Sequence, residues 1–173
     1  AALKQIGDDG VIAMMCDSTN VFVDGSSGSE GPLRESLIEI VGNCKGRVDI
    51  ACFESNVARM ETCVAAAQGT GRHVGLVGRS LWRMNEVARE CGYLMDCPEF
   101  VNVDEIDFLP REEVLLIVTG SQGEAQAALS RIASGDHRDV SLEAGDTVIF
   151  SSKEIPGNEK AIGRIQNRLA AEG

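Results

Sequence analysis

The sequence predicts an α/β fold: a doubly wound, mostly parallel sheet of five or six strands with helices on both faces, in one domain spanning residues 1–173. Two observations carry this. Short apolar runs, of the kind buried parallel strands need, alternate with longer stretches whose apolar residues recur at helical spacing. Five of the strand-like runs end at a cluster of Ser, Thr, Gly and Asn and pass directly into a helix-like run. Such alternation implies crossover connections, which in parallel sheets are right-handed.

Residues 11–16, 47–53, 74–77, 114–119 and 147–150 are the five apolar runs, and residues 100–103 read as a sixth strand at an edge. Between them, Leu33, Leu37, Val41 and Cys44 mark one helical face, Val57, Met60, Val64 and Ala67 a second, and Leu81, Met84, Val87 and Cys91 a third. Two more helices carry Ala128, Leu129 and Ile132, and Ile162, Ile165 and Leu169. Ser55 and Asn158 stand where N-caps belong, and Gly69 and Gly92 where helices end. Residues 24–31 form a Gly/Ser-rich loop, and residues 96–113 an acidic connection holding Pro98 and Pro110.

Composition bounds the function. With 43% hydrophobic residues in 173, the chain can bury a core. Its 27 acidic and 16 basic residues give a formal charge of −11, which argues against a protein coating duplex nucleic acid by phosphate neutralisation. The charge is segregated, however: Arg59, Arg79, Arg83, Lys153 and Lys160 lie at or just behind the junctions, and the acids of 96–113 do not. Six cysteines without a C-x-x-C pair read as reduced thiols, most of them buried. No secretory leader pattern and no membrane-length apolar run occurs, so a cytoplasmic location is the expectation. The absence of an initiator Met and a helical pattern at the far end fit a module cut from a longer protein.

Several common chemistries lack their motifs. There is no G-x-G-x-x-G after the first strand, no Walker A loop, no G-x-S-x-G elbow and no metal-binding His spacing. His73 reads as a surface turn residue. His137, in Gly135-Asp136-His137-Arg138, reads equally as turn or substrate contact. Asp17 closes the first apolar run, where a carboxylate would project from the sheet edge into a ligand crevice. On pattern alone an Asx-turn or helix cap outweighs that role. At the junctions, small residues let backbone N–H groups approach an anion and each following helix adds its positive dipole end, so together they resemble a rim for phosphates.

Whole phrases are more specific. Cys16-Asp17-Ser18-Thr19-Asn20, Phe53-Glu54-Ser55-Asn56-Val57, Val77-Gly78-Arg79-Ser80, Thr119-Gly120-Ser121-Gln122-Gly123-Glu124 and Ile155-Pro156-Gly157-Asn158-Glu159 follow in order at strand ends. Ala127-Ala128-Leu129-Ser130-Arg131 and Gly135-Asp136-His137 extend the fourth phrase. Together they resemble the β-CASP domain of ribonuclease J, a metallo-β-lactamase superfamily ribonuclease, over nearly the entire chain.

That resemblance implies an insert in a hydrolase domain that holds two zinc ions, with single-stranded RNA running between the two domains. The H-x-H-x-D-H zinc motif is absent here, so the chain alone is expected to bind no metal and to be inactive. The resemblance further implies a homo-oligomeric parent acting as a 5′-to-3′ exonuclease and endonuclease in RNA processing and decay. It assigns Asp17 as a supporting acid for a histidine of the other domain. It places Ser18, Thr19, Ser55, Asn56, Arg59, Arg79, Ser80, Gly120, Ser121, Gln122, Gly123, Glu124, His137, Ser152, Gly157 and Asn158 along the RNA or its phosphates. Each also has a plainer reading as a cap, a tight turn or an ion-pair partner. Glu54 and Ala58 depart from the family, which commonly has a small residue and a His there. Phe53 reads as core more readily than as a base-stacking platform.

Two other readings compete. A phosphosugar- or nucleotide-binding regulatory domain would use residues 119–124 and 156–159 as its phosphate cradle and perform no chemistry. A receiver-like domain phosphorylated on Asp17 ranks lower, because Asp17 lacks the second acid that receivers carry.

Overall fold

The structure is a computed structural model that describes residues 2–18, 21–25 and 28–172. In chain order its elements are α1 (Ala2–Asp9), α2 (Glu30–Asn43), β1 (Val48–Ala51), α3 (Val57–Gly69), β2 (His73–Val77) and α4 (Arg79–Glu90). Two short 3-10 turns, Val103–Phe108 and Arg111–Glu113, lead to β3 (Val114–Val118), α5 (Ala128–Ile132), β4 (Thr147–Phe150) and α6 (Glu159–Glu172). The four strands form one parallel sheet in the order β2-β3-β1-β4.

The period of two along each strand divides the core between the faces. Leu115 and Ile117 of β3 pack with Val48 and Ile50 of β1 against α2, α3 and α4, through Val41, Met60, Cys63 and Leu81. Val114, Leu116 and Val118 face the other way, against Leu129 and Ile132 of α5 and Ile165 of α6. β3 is therefore covered on both faces and buried along its length, as its unbroken Val-Leu-Leu-Ile-Val run requires. Burying each such side chain is worth roughly 1.5–3 kcal/mol.

The expected α/β class, parallel sheet and two-faced helix cover are present; the expected fifth and sixth strands are not. Residues 11–16 carry no strand: the whole of 11–18 is exposed, with Ile12 and Met15 among its uncovered apolar side chains. An apolar run becomes a strand only where a partner edge and a covering layer receive it, and among the described residues this one has neither. At 100–103 the edge strand contracts to a single bridge, Gly75 with Val101, where the Val101 N–H donates to the Val74 carbonyl at 2.8 Å. The chain then turns at once into the Val103–Phe108 3-10 turn, with Asp104 and Glu105 in its first residues.

Helix ends follow the expected residues with small shifts. Asn56, not Ser55, caps α3, its side chain accepting from the Arg59 N–H at 3.0 Å. Asn158 directly precedes α6, and its carbonyl accepts from Ala161 and Ile162. Of the six free cysteines only Cys52 and Cys63 are fully buried; Cys16 and Cys91 are exposed. That corrects the expectation of mostly buried thiols, because Cys16 lost its cover with the unformed strand. Among the described residues no helix is long and apolar enough to cross a membrane.

At the end of the sheet where the strands begin, charge is buried. Arg47 is 2% exposed and Asp49 0%; the guanidinium grips the carboxylate from Nε at 2.8 Å and Nη2 at 3.0 Å and reaches the Ser141 carbonyl at 2.9 Å. Asp146 joins them from the turn before β4, accepting the Arg47 N–H at 3.0 Å and pairing with Arg111.

Candidate functional site

β1 lies between β3 and β4, yet α3 leaves β1 across one face of the sheet and α5 leaves β3 across the other. Where successive connections part in this way, a crevice opens at the carboxyl ends of the strands. The loops after β1, β2 and β3 meet there around a cavity of about 720 Å³. Glu54 lines it from the first loop, Gly78, Arg79 and Ser80 from the second, and Thr119, Gly120 and Glu124 from the third. Trp82 of α4, Arg131 of α5, His137 and Asp139 complete the polar and aromatic wall.

Glycine makes this convergence possible. Gly78 has φ +134°, and a Cβ on it would stand 2.6 Å from Thr119 Cγ2; Gly120 has φ +107°, and its Cβ would stand 2.8 Å from that of Ala127. Only residues without a side chain let the loops close this tightly. Thr119 then fastens α5, its carbonyl accepting from the Leu129 N–H at 2.9 Å and its hydroxyl from the Ala128 N–H at 3.2 Å. His137 accepts the Asp139 N–H at Nδ1, 3.3 Å away, which leaves Nε2 as the protonated nitrogen. Burial, with help from Arg131, holds its pKa below the ordinary histidine value.

A second cluster joins the loop after β3 to the loop after β4. Gln122 is 5% exposed; its Nε2 donates to the Ser152 hydroxyl at 3.2 Å and the Lys153 carbonyl at 3.0 Å. Its Oε1 accepts from the Ile155 N–H at 2.9 Å and Asn158 Nδ2 at 3.3 Å. All four hydrogen-bonding positions of the amide are thereby used. The neighbouring Ser121 hydroxyl is buried without a partner. Gly123 packs against α6, where an added Cβ would lie 2.7 Å from that of Ala161. Gly157, at φ +102°, donates its N–H to the Glu159 carboxylate at 2.9 and 3.0 Å.

The structure thus gathers Arg79, Ser80, Gly120, Glu124 and His137 around the cavity and ties Gln122, Ser152 and Asn158 into the adjoining cluster. Arg59 does not face a ligand space with a free charge: it pairs with Glu30 and donates to the Ser151 hydroxyl at 2.8 Å and the Ser151 carbonyl. Ser55 is exposed beside Asn56. Asp17 and Ser18 are exposed in the strandless 11–18 segment and do not line the cavity, so the sheet-edge placement expected of Asp17 is not what the fold gives; Thr19 lies outside the described residues. Sequence reasoning missed Trp82 and Arg131 as site residues. Trp82 stands three positions after Arg79, one helical turn along the same face, and Arg131 ends the quoted phrase Ala127-Ala128-Leu129-Ser130-Arg131 without having been assigned to the site.

Among the described residues no group of three or more His, Cys, Asp or Glu side chains is placed to hold a metal ion. A second groove, about 400 Å³, runs along β4 and α6 past Val148, Phe150 and Leu169 and includes none of the expected site residues.

The family model "Ribonuclease J, beta-CASP domain" matches residues 45–169. Ribonuclease J of Sinorhizobium meliloti is 47% identical over 170 residues, 98% of this chain and 30% of that protein. Ribonuclease J of Thermus thermophilus is 38% identical over the whole chain and 30% of its own length, and ribonuclease J2 of Bacillus subtilis 36% identical over 99% of the chain and 31% of its own. The chain spans roughly a third of the length of the curated relatives it matches. With the family model covering all four strands and the cavity they frame, the chain belongs to the β-CASP domain family of ribonuclease J.

Proposed function

We propose that this chain is the RNA-gripping module of a ribonuclease J-like, metal-dependent 5′-to-3′ exo- and endoribonuclease that works in cytoplasmic RNA processing and decay. The observation that carries this reading is the meeting of the loops after β1, β2 and β3 around one 720 Å³ cavity, with the loop after β4 latched alongside through Gln122. A single strand, whose bases are splayed and accessible, suits loops that offer main-chain N–H groups and short polar side chains. Ser55, Ser80 and Gly157 border the strand, whereas Asn56, Arg59, Gln122 and Asn158 hold the loops in place beneath it.

The catalytic half belongs to a metallo-β-lactamase domain of the same protein. Its two zinc ions supply an activated water for phosphodiester hydrolysis. In this division of labour the present chain contributes binding and positioning. Asp17, exposed on the 11–18 segment, is the exception: it orients a histidine of the hydrolase domain. In the full-length protein Asp17→Ala lowers turnover by more than about tenfold, at little change in RNA affinity. Undiminished turnover removes Asp17 from the active site.

A further inference from the structure

We infer that the cavity between Glu54, Arg79, Trp82, Glu124 and Arg131 takes one unstacked nucleobase of the bound strand, and guanine in preference to the others. This rests on the RNA-binding reading and gives it a base preference.

Charge decides first what the cavity can hold. Two guanidinium groups, Arg79 and Arg131, face two carboxylates, Glu54 and Glu124; a third, Asp139, is paired with Arg138 at 2.9 Å. A phosphate placed among them would find no net positive charge, whereas a neutral heterocycle with both donors and acceptors can satisfy both signs. The volume, about 720 Å³, falls within the roughly 300–1,000 Å³ that small-molecule pockets span.

The wall fits a base rather than a sugar or a peptide. Trp82 donates its indole N–H internally, to the Leu76 carbonyl at 3.1 Å, and is braced edge-on by Phe100 with ring centroids 6.5 Å apart. The indole contributes to the cavity as a fixed apolar surface with no polar group left to satisfy, as a stacking wall does. Of the four bases, guanine carries two adjacent donors, N1–H and N2–H, that suit one carboxylate, and two adjacent acceptors, O6 and N7, that suit one guanidinium. Glu54 is the carboxylate free for that edge, since Glu124 already accepts the Gln122 N–H at 3.0 Å.

Trp82 is the sole tryptophan of the chain, so its fluorescence reports the cavity directly. The 173-residue chain is titrated with guanosine, adenosine, cytidine, uridine and inorganic phosphate, with calorimetry on the same solutions. Guanosine is expected to quench Trp82 and to bind about tenfold more tightly than the other nucleosides, and Glu54→Gln to erase that preference. Equal binding of all four nucleosides, no binding of any, or binding of phosphate alone overturns the inference. If the full-length protein still binds RNA in those cases, the base pocket fails alone; if it does not, the RNA-binding reading fails with it.

Discussion

Gln122 and Ser152 join two loops that are 30 residues apart in sequence: the Gln122 Nε2 donates to the Ser152 hydroxyl at 3.2 Å while the rest of the amide binds Lys153, Ile155 and Asn158. Gln122→Ala removes all four of these hydrogen bonds at once. It should cost about 1–3 kcal/mol in urea denaturation. Gln122→Glu should cost a similar amount, because a carboxylate cannot donate to the Lys153 carbonyl. A variant as stable as the parent would show that the latch contributes nothing.

Gly120 and Gly135 separate two costs of a side chain. Both have positive φ, +107° and +69°, but only at Gly120 would a Cβ collide, with Ala127 at 2.8 Å and Leu129 at 3.2 Å; at Gly135 nothing lies within 4 Å. Gly135→Ala should therefore cost about 1 kcal/mol of backbone strain. Gly120→Ala adds the collision and should exceed it by about 1–3 kcal/mol. Equal losses in thermal unfolding would mean that the loop after β3 yields freely.

What was legible in the sequence was whatever one segment dictates by itself. β3 and α3 could be read because an unbroken apolar run and a repeat of Val57, Met60 and Val64 each have one good solution. Residues 11–16 carry the same apolar signal as β3, but pairing is a property of two segments, and the signal does not say whether a partner edge is within reach. The site divides in the same way. Arg79, Ser80 and Gly120 stand at strand ends, where their position announces them. Arg59 was read from the same position, yet its charge is engaged by Glu30, 29 residues earlier, a pairing that spacing cannot show. Trp82 and Arg131 escaped because they enter the cavity from helix faces rather than from the junctions themselves.

The Glu30–Arg59 pair gives the fold an acid-sensitive tie between α2 and α3. The hydrogen bond from Arg59 holds the Glu30 carboxyl below its ordinary 4.5. A carboxyl lowered on folding contributes stability that is fully present above 4.5 and fades as pH falls through the lowered folded value. Because the pair is partly exposed, with side chains at 15% and 31%, solvent screening keeps the contribution small, under about 1 kcal/mol. The stability of Glu30→Gln should consequently fall less than that of the parent as pH drops below 4.5, with the two curves parallel at neutral pH. Curves that stay parallel down to pH 3 would assign the acid response to other groups.

Arg47 and Asp49 test the opposite regime, a pair withdrawn from water. Burial pushes the Asp49 carboxyl up, and the Arg47 guanidinium, which donates to it twice, pulls the other way. Removing either member leaves the other buried and uncompensated. Asp49→Ala or Arg47→Ala should each cost about 3–5 kcal/mol. Replacing both with apolar residues, Arg47→Met with the smaller, β-branched Asp49→Val, removes the desolvation penalty together with the attraction and should recover most of that loss. Arg47 also donates to the Ser141 carbonyl, and Asp146 also binds Arg111, so recovery should stop short of complete. A double variant no more stable than either single one would mean that the network specifies the start of β1 and β4 through geometry that apolar side chains cannot replace. Because the network lies at the end of the sheet where the strands begin, the double variant should bind RNA as the parent does, in a titration of the full-length protein at fixed salt.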